Sequence, residues 1–135
     1  MKKNFFRAAA LSAILAMSVN GAQAQTRNYE CPPLNPEYQA QADQVISLQM
    51  EDPEKAGKLY MGLEKKVQKS KEDLVSLGTY LLEHNELQGA NRCAKLVYEK
   101  APDYIPGLMF SAEVYMKMQQ WGLAGGRYDE VLAID

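Results

Sequence analysis

The feature of this chain that most limits its possible folds is a recurrence of residue types every 34 positions. Three columns share this spacing, and within each copy they stand four and three positions apart. The columns are Ala56, Ala90 and Ala124; Tyr60, Ala94 and Tyr128; and Leu63, Val97 and Val131. Residues at i, i+4 and i+7 share one face of an α-helix, so each copy is predicted to contain an amphipathic helix. A fixed period of this length is typical of stacked repeats, whose units cannot bury their apolar faces alone.

A second apolar helix is predicted before each of these helices. In the last two copies its apolar residues are Leu74, Leu77 and Leu81, and then Leu108, Phe110, Val114, Tyr115 and Met118. A short polar turn separates the two helices of each copy, at 51–52, 85–86 and 119–120. No segment alternates apolar and polar residues with β-branched enrichment, which leaves the prediction all-α.

Capping residues indicate where these helices begin and end. Asp52 before Pro53 is predicted to be an N-cap, because proline at the first helical position loses no hydrogen bond. Pro102 is predicted to end the second helix of the middle copy, and Asp103 to cap the helix that follows.

The pattern resembles the tetratricopeptide repeat family. The matching residues are Leu77-Gly78, Leu81, Ala90, Ala94, Val97 and Pro102, and then Leu108, Ala112, Tyr115, Ala124 and Tyr128. The first copy keeps Ala56 and Tyr60 but has Asp43-Gln44 where Leu-Gly is typical. The resemblance implies a helical-hairpin solenoid (α-α superhelix) of about three repeats, at 37–70, 71–104 and 105–135, the last without a capping helix. An unrelated helical bundle with accidental periodicity is the alternative.

The N-terminus resembles a secretory signal at 1–24, followed by an extension at 25–36. Lys2, Lys3 and Arg7 precede a 12-residue apolar run and the small-residue site Ala22-Gln23-Ala24. That run is shorter than the ~20 residues that span a bilayer. We therefore expect a periplasmic or secreted protein without a membrane anchor, with an amphipathic N-terminal helix of the fold as the alternative.

Charge and composition argue against several function classes. Loss of three basic residues with the signal would leave 12 basic against 17 acidic residues, a net charge of −5, which disfavours nucleic-acid binding. The chain has one histidine, His84, which is predicted to lie at a helix C-terminus. We expect neither catalysis, nor a cofactor, nor a metal site.

Cys31 and Cys93 are the two cysteines of the chain, and export would carry both into an oxidising compartment. A bond between them would hold the N-terminal extension against the second helix of the middle copy. The alternative is a buried Cys93 with a free or intermolecular Cys31, and the choice depends on geometry.

The tetratricopeptide resemblance implies a concave groove formed by the first helix of each repeat, which would bind a protein or peptide. Its predicted residues are Gln41, Val45, Leu48, Val75, Thr79, Leu82, Met109, Glu113 and Met116. A mostly apolar groove with methionines fits an amphipathic helix or an extended apolar segment, including the chain's own extension. The alternative is that these side chains only pack the array.

The last predicted helix is expected to leave Tyr128, Val131, Leu132 and Ile134 exposed. Burial of each would be worth roughly 1.5–3 kcal/mol, so a cover is expected. It would come from a partner, from a second copy, or from further repeats, with fraying as the alternative. The sequence thus predicts a non-enzymatic interaction scaffold or, alternatively, a homo-oligomer or part of a longer array.

Overall fold

The computed structural model describes residues 32–134, and this part of the chain is α-helical with no strand. The six helices are α1 (Pro36–Leu48), α2 (Pro53–Val67), α3 (Lys71–Glu83), α4 (Leu87–Lys100), α5 (Ile105–Lys117) and α6 (Trp121–Ile134). The all-α prediction is therefore confirmed. The predicted signal at 1–24, most of the extension, Cys31 and Asp135 lie outside the described residues.

Each helix packs against the next one along the chain, and α1, α3 and α5 also form a series of contacts with one another. As a result, α3 packs against both helices of the pair before it, α1 and α2, and α5 packs against both α3 and α4. The second helices of the three pairs begin at Pro53, Leu87 and Trp121, each one repeat period after the last.

Side-chain caps explain most of the helix starts. Asp52 accepts a hydrogen bond from the Lys55 amide, which confirms its predicted role, and Asn35, Ser70 and Glu86 cap α1, α3 and α4 in the same way. The prediction for Asp103 was wrong, because Tyr104 holds the N-cap position of α5 and makes no side-chain capping bond. Pro106 lies in the first turn of α5, where its missing N–H costs no hydrogen bond.

Two tight turns join the helices of the second and third pairs. Asn85 and Gln119, which are also one repeat period apart, have φ values of 63° and 60°. Asparagine tolerates this left-handed region better than most residues, and glutamine adopts it less readily. His84 is the C-cap of α3, as predicted, and its Nδ1–H donates to the Tyr80 carbonyl at 2.8 Å.

Small residues permit the closest approaches between helices. Ala56, Ala90 and Ala124 are all 1% exposed or less, as their column predicted. A Cβ atom at Gly78 would meet the Phe110 ring and would lie 2.9 Å from the Cβ of Cys93. Glycine at this position therefore lets α4 and α5 pack closely against α3.

Candidate functional site

The residues of the predicted groove divide into buried and accessible groups. Val45 and Val75 are 0% and 2% exposed and belong to the hydrophobic core, so placing them on an open surface was wrong. Leu82 is also nearly buried, at 5%. Gln41, Leu48, Thr79 and Met109 are half-buried, whereas Glu113 and Met116 are exposed.

A one-residue shift explains the error in α1. The first residues of α1 and α3, Pro36 and Lys71, are 35 rather than 34 positions apart, because the loop at 49–52 has four residues where 84–86 has three. A uniform 34-residue spacing therefore misaligns α1 with α3 by one residue, which is a rotation of about 100° around the helix axis. With the offset of 35, the counterparts of Val75, Thr79 and Leu82 are Ala40, Gln44 and Ser47, which are all exposed.

The described part of the N-terminal extension lies against α3. The Ser76 hydroxyl donates to the Pro32 carbonyl at 2.8 Å, and Leu34 packs against the core. A shallow depression of about 260 Å³ lies beside this contact, between Pro33 and Thr79 among others. The extension thus reaches one of the predicted groove residues.

Exposed apolar side chains concentrate on α5 and α6. Met116, Trp121, Leu123, Leu132 and Ile134 are 43%, 60%, 53%, 74% and 48% exposed. Val131, which was predicted to be exposed with them, is 6% exposed, because it lies with Ala124 on the side of α6 that packs against α5. Tyr128 is half-buried.

Three of these residues share one side of α6. Trp121, Tyr128 and Leu132 stand at i, i+7 and i+11, which places them within about 40° of one another around the helix. We call them the outer face of α6. Leu132 is the most exposed of the three, so most of its side chain is accessible to a partner.

A depression of about 530 Å³ adjoins this face. We call it the three-helix pocket, because its residues come from the end of α3, from α5 and from α6. They are Leu82, Glu83, Glu113, Met116, Lys117, Trp121 and Tyr128. The pocket has an apolar wall with carboxylates at its edge, and it includes three of the predicted groove residues.

Two carboxylates, Glu83 and Glu113, line the pocket. The pKa of Glu113 is raised above its usual value, first by partial desolvation and then by the negative charge of Glu83. Neither carboxylate forms a salt bridge with any residue between 32 and 134. Lys117 lines the same pocket, so its lining has two acidic side chains and one basic side chain.

A buried contact joins α2 to α4, and we call it the α2–α4 seam. The Tyr60 hydroxyl donates to the Gly89 carbonyl at 3.2 Å and lies 3.5 Å from Cys93 Sγ. Arg92 donates two hydrogen bonds of 2.9 Å to the Glu64 carboxylate. The Arg92 hydrogen bonds lower the pKa of Glu64. Sequence reasoning missed these pairs, because a contact between segments so far apart in the chain leaves no local pattern.

The chemistry of Cys93 follows from its burial. The side chain is 0% exposed, and desolvation raises the pKa of its thiol to about 12. A thiol of this kind is a poor nucleophile at neutral pH. The burial of Cys93 agrees with the alternative to a disulfide, and the state of Cys31 is not tested, because Cys31 lies outside the described residues.

The described residues were also compared with the requirements for a metal site and for a membrane-spanning helix. Within 32–134, no three His, Cys, Asp or Glu side chains form a group that could hold a metal ion. No described helix is both long enough and apolar enough to cross a membrane.

Comparisons of this chain with protein-family models, with curated proteins and with solved structures gave no match.

Proposed function

We propose that this chain is an exported helical-repeat protein of the tetratricopeptide type that acts by binding another protein. The regular spacing of α2, α4 and α6 supports the repeat assignment, and so do the matching turns at Asn85 and Gln119. The way that each helix pair packs against the pair before it also favours a stacked array over a closed bundle. Export rests on the sequence of residues 1–24.

The observation that carries the binding proposal is that the exposed side chains of Met116 and Trp121 line the three-helix pocket and that Leu132 lies on the adjoining outer face of α6. A cluster of this kind, rimmed by polar residues, marks interaction surfaces more often than it serves stability. The equivalent face of α2 is covered, since Tyr60 and Glu64 are 5% and 6% exposed beneath α4. The proposed binding surface is therefore formed by the last helix pair together with the end of α3, and it includes Leu82, Glu113 and Met116 of the predicted groove.

Site-specific photocrosslinking in the native cell envelope tests this proposal. A photoreactive residue in place of Leu132 should capture a partner, whereas the same residue in place of Met50 should not. Met50 is 92% exposed and lies in the loop between α1 and α2, away from the pocket, so it is a matched control. Equal capture at both positions, or none at 132 in a folded protein, would contradict the proposal.

A homo-oligomer is the second candidate, and the exposure of Trp121 and Leu132 on the outer face of α6 favours it. Two copies could bury these side chains against each other. Light scattering at micromolar concentration separates the candidates. A molar mass of the monomer would show that a second copy does not cover α6.

A further inference from the structure

We infer that the three-helix pocket binds an amphipathic helix of a partner protein, with its apolar side chains on Met116, Trp121 and Tyr128 and its Lys or Arg side chains at Glu83 and Glu113. This inference rests on the proposed function, because it names the class of partner. Three observations carry it: the packing of the earlier helices, the apolar wall of the pocket, and the excess of acidic over basic side chains in its lining.

The packing of the earlier helices indicates that the occupant is a helix. The helix α3 packs in the angle between α1 and α2, and α5 packs in the angle between α3 and α4. The three-helix pocket continues this series at α5 and α6, and the end of α3 also lines it. Leu87 and Ala94 of the pair before are the repeat equivalents of Trp121 and Tyr128. Ala94 is 4% exposed, and Leu87 packs against the core.

The apolar wall suits the face of an amphipathic helix. Leu82 forms the deep part of the wall, while Met116 and Trp121 are 43% and 60% exposed beside it. A volume of about 530 Å³ fits several side chains at i, i+3, i+4 and i+7, which is how helices dock in grooves. Methionine adapts to side chains of different shape, and tryptophan contributes a large contact area.

The charges at the edge of the pocket select a basic partner. Glu83 and Glu113 come from different helices, α3 and α5, and neither has a salt bridge to a residue of the described part. Lys117 balances one of the two negative charges. A Lys or Arg on the docked helix would relieve the repulsion between the carboxylates, whereas an acidic helix would add to it.

The fluorescence of Trp121 tests the inference directly, because it is the one tryptophan of the chain. The probe is a synthetic amphipathic helical peptide of leucine, lysine and alanine, about 18 residues long. A matched peptide has glutamate in place of lysine, and a third has the same composition as the first but a scrambled order. We expect a saturable blue shift of Trp121 emission with the lysine peptide, and binding at least about tenfold weaker with the other two.

Substitutions identify the charges that matter. The double variant Glu83→Gln/Glu113→Gln should bind the lysine peptide about tenfold more weakly while keeping its helical content. The control is Glu51→Gln, an exposed carboxylate in the loop between α1 and α2, which should leave binding unchanged. Circular dichroism and melting of each variant show whether the fold is retained.

Three results would overturn the inference. Equal binding of the lysine and glutamate peptides would show that the pocket does not select a basic partner. Equal binding of the scrambled peptide would show that an amphipathic helix is not required. A concentration-dependent blue shift without any peptide, together with dimers in light scattering, would show that a second copy fills the pocket. If photocrosslinking at 132 succeeds but the lysine peptide does not bind, the proposed function stands and this inference fails.

Discussion

The outer side of α2 and the outer side of α6 carry related residues at equivalent repeat positions but have different surroundings. Tyr60 and Tyr128 stand two repeats apart, and so do Glu64 and Leu132. Tyr60 is 5% exposed and bonded to the backbone of α4, whereas Tyr128 is half-buried at the edge of a pocket. Glu64 is buried against Arg92, whereas Leu132 is 74% exposed.

The difference shows that a repeat position does not fix the role of its residue. In α2 this side of the helix is covered by α4 and joins two helix pairs, whereas in α6 no helix among residues 32–134 covers it. Where α2 has the buried glutamate of a salt bridge, α6 has leucine, an apolar residue that suits a contact with a partner. The comparison predicts a larger loss of stability on truncation of Tyr60 in the α2–α4 seam than on truncation of Tyr128 on the outer face of α6.

The largest contrast is expected between the two tyrosines. Tyr60→Ala should lower the free energy of unfolding by about 3–5 kcal/mol, because it leaves a cavity and removes the bond to Gly89. Tyr128→Ala should lower it by about 1 kcal/mol, since much of that ring already contacts solvent. Urea denaturation measures the free energy of unfolding of both variants. Equal losses would show that Tyr128 of α6 is as well covered as Tyr60 of α2.

Two glycines give a second contrast. Gly78→Ala should destabilise the protein by about 1–3 kcal/mol, because the added methyl group would clash with Phe110 and Cys93. Gly125→Ala should stabilise it by up to about 1 kcal/mol, since a Cβ there meets nothing within 4 Å and alanine favours a helix. Thermal melting checks both, and the comparison fails if Gly125→Ala destabilises the protein like Gly78→Ala.

The smallest effect is expected at the salt bridge of the seam. Glu64→Gln should cost about 1 kcal/mol at pH 7, because Arg92 is half-exposed and solvent weakens the pair. The pKa of Glu64 is lowered in the folded state, so its contribution is complete above the ordinary value of 4.5 and is lost as the pH falls through the folded value. Wild type and variant should therefore converge in acid. A difference that persists there would contradict this account of Glu64.

Local patterns in the sequence predicted the helices well. The columns headed by Ala56 and Tyr60 indicated helical faces, and the Asp52-Pro53 pair marked a helix start that the structure confirms. Helical faces and helix starts depend on residues within a few positions of one another, so a short segment of sequence is enough to predict them.

The surface was harder to predict, because it depends on contacts between distant segments. The extra residue in the loop at 49–52 shifted the register of α1, and an assumed spacing of 34 could not show it. Val75 was assigned to the groove because helical periodicity does not distinguish a face covered by other helices from an open one. The bonds of Tyr60 with Gly89 and of Ser76 with Pro32 likewise join residues 29 and 44 positions apart.

Hydrogen exchange measured by mass spectrometry tests the central claim most directly, namely that α6 is a partly covered helix whose outer face binds a partner. In the free protein, the amides of α4 should exchange only on global unfolding, and those of α6 should exchange faster through local opening. Addition of the lysine peptide should slow exchange in α6 and leave α4 unchanged. Equal protection of α4 and α6 in the free monomer, or no change in α6 when the peptide is bound, would contradict the account.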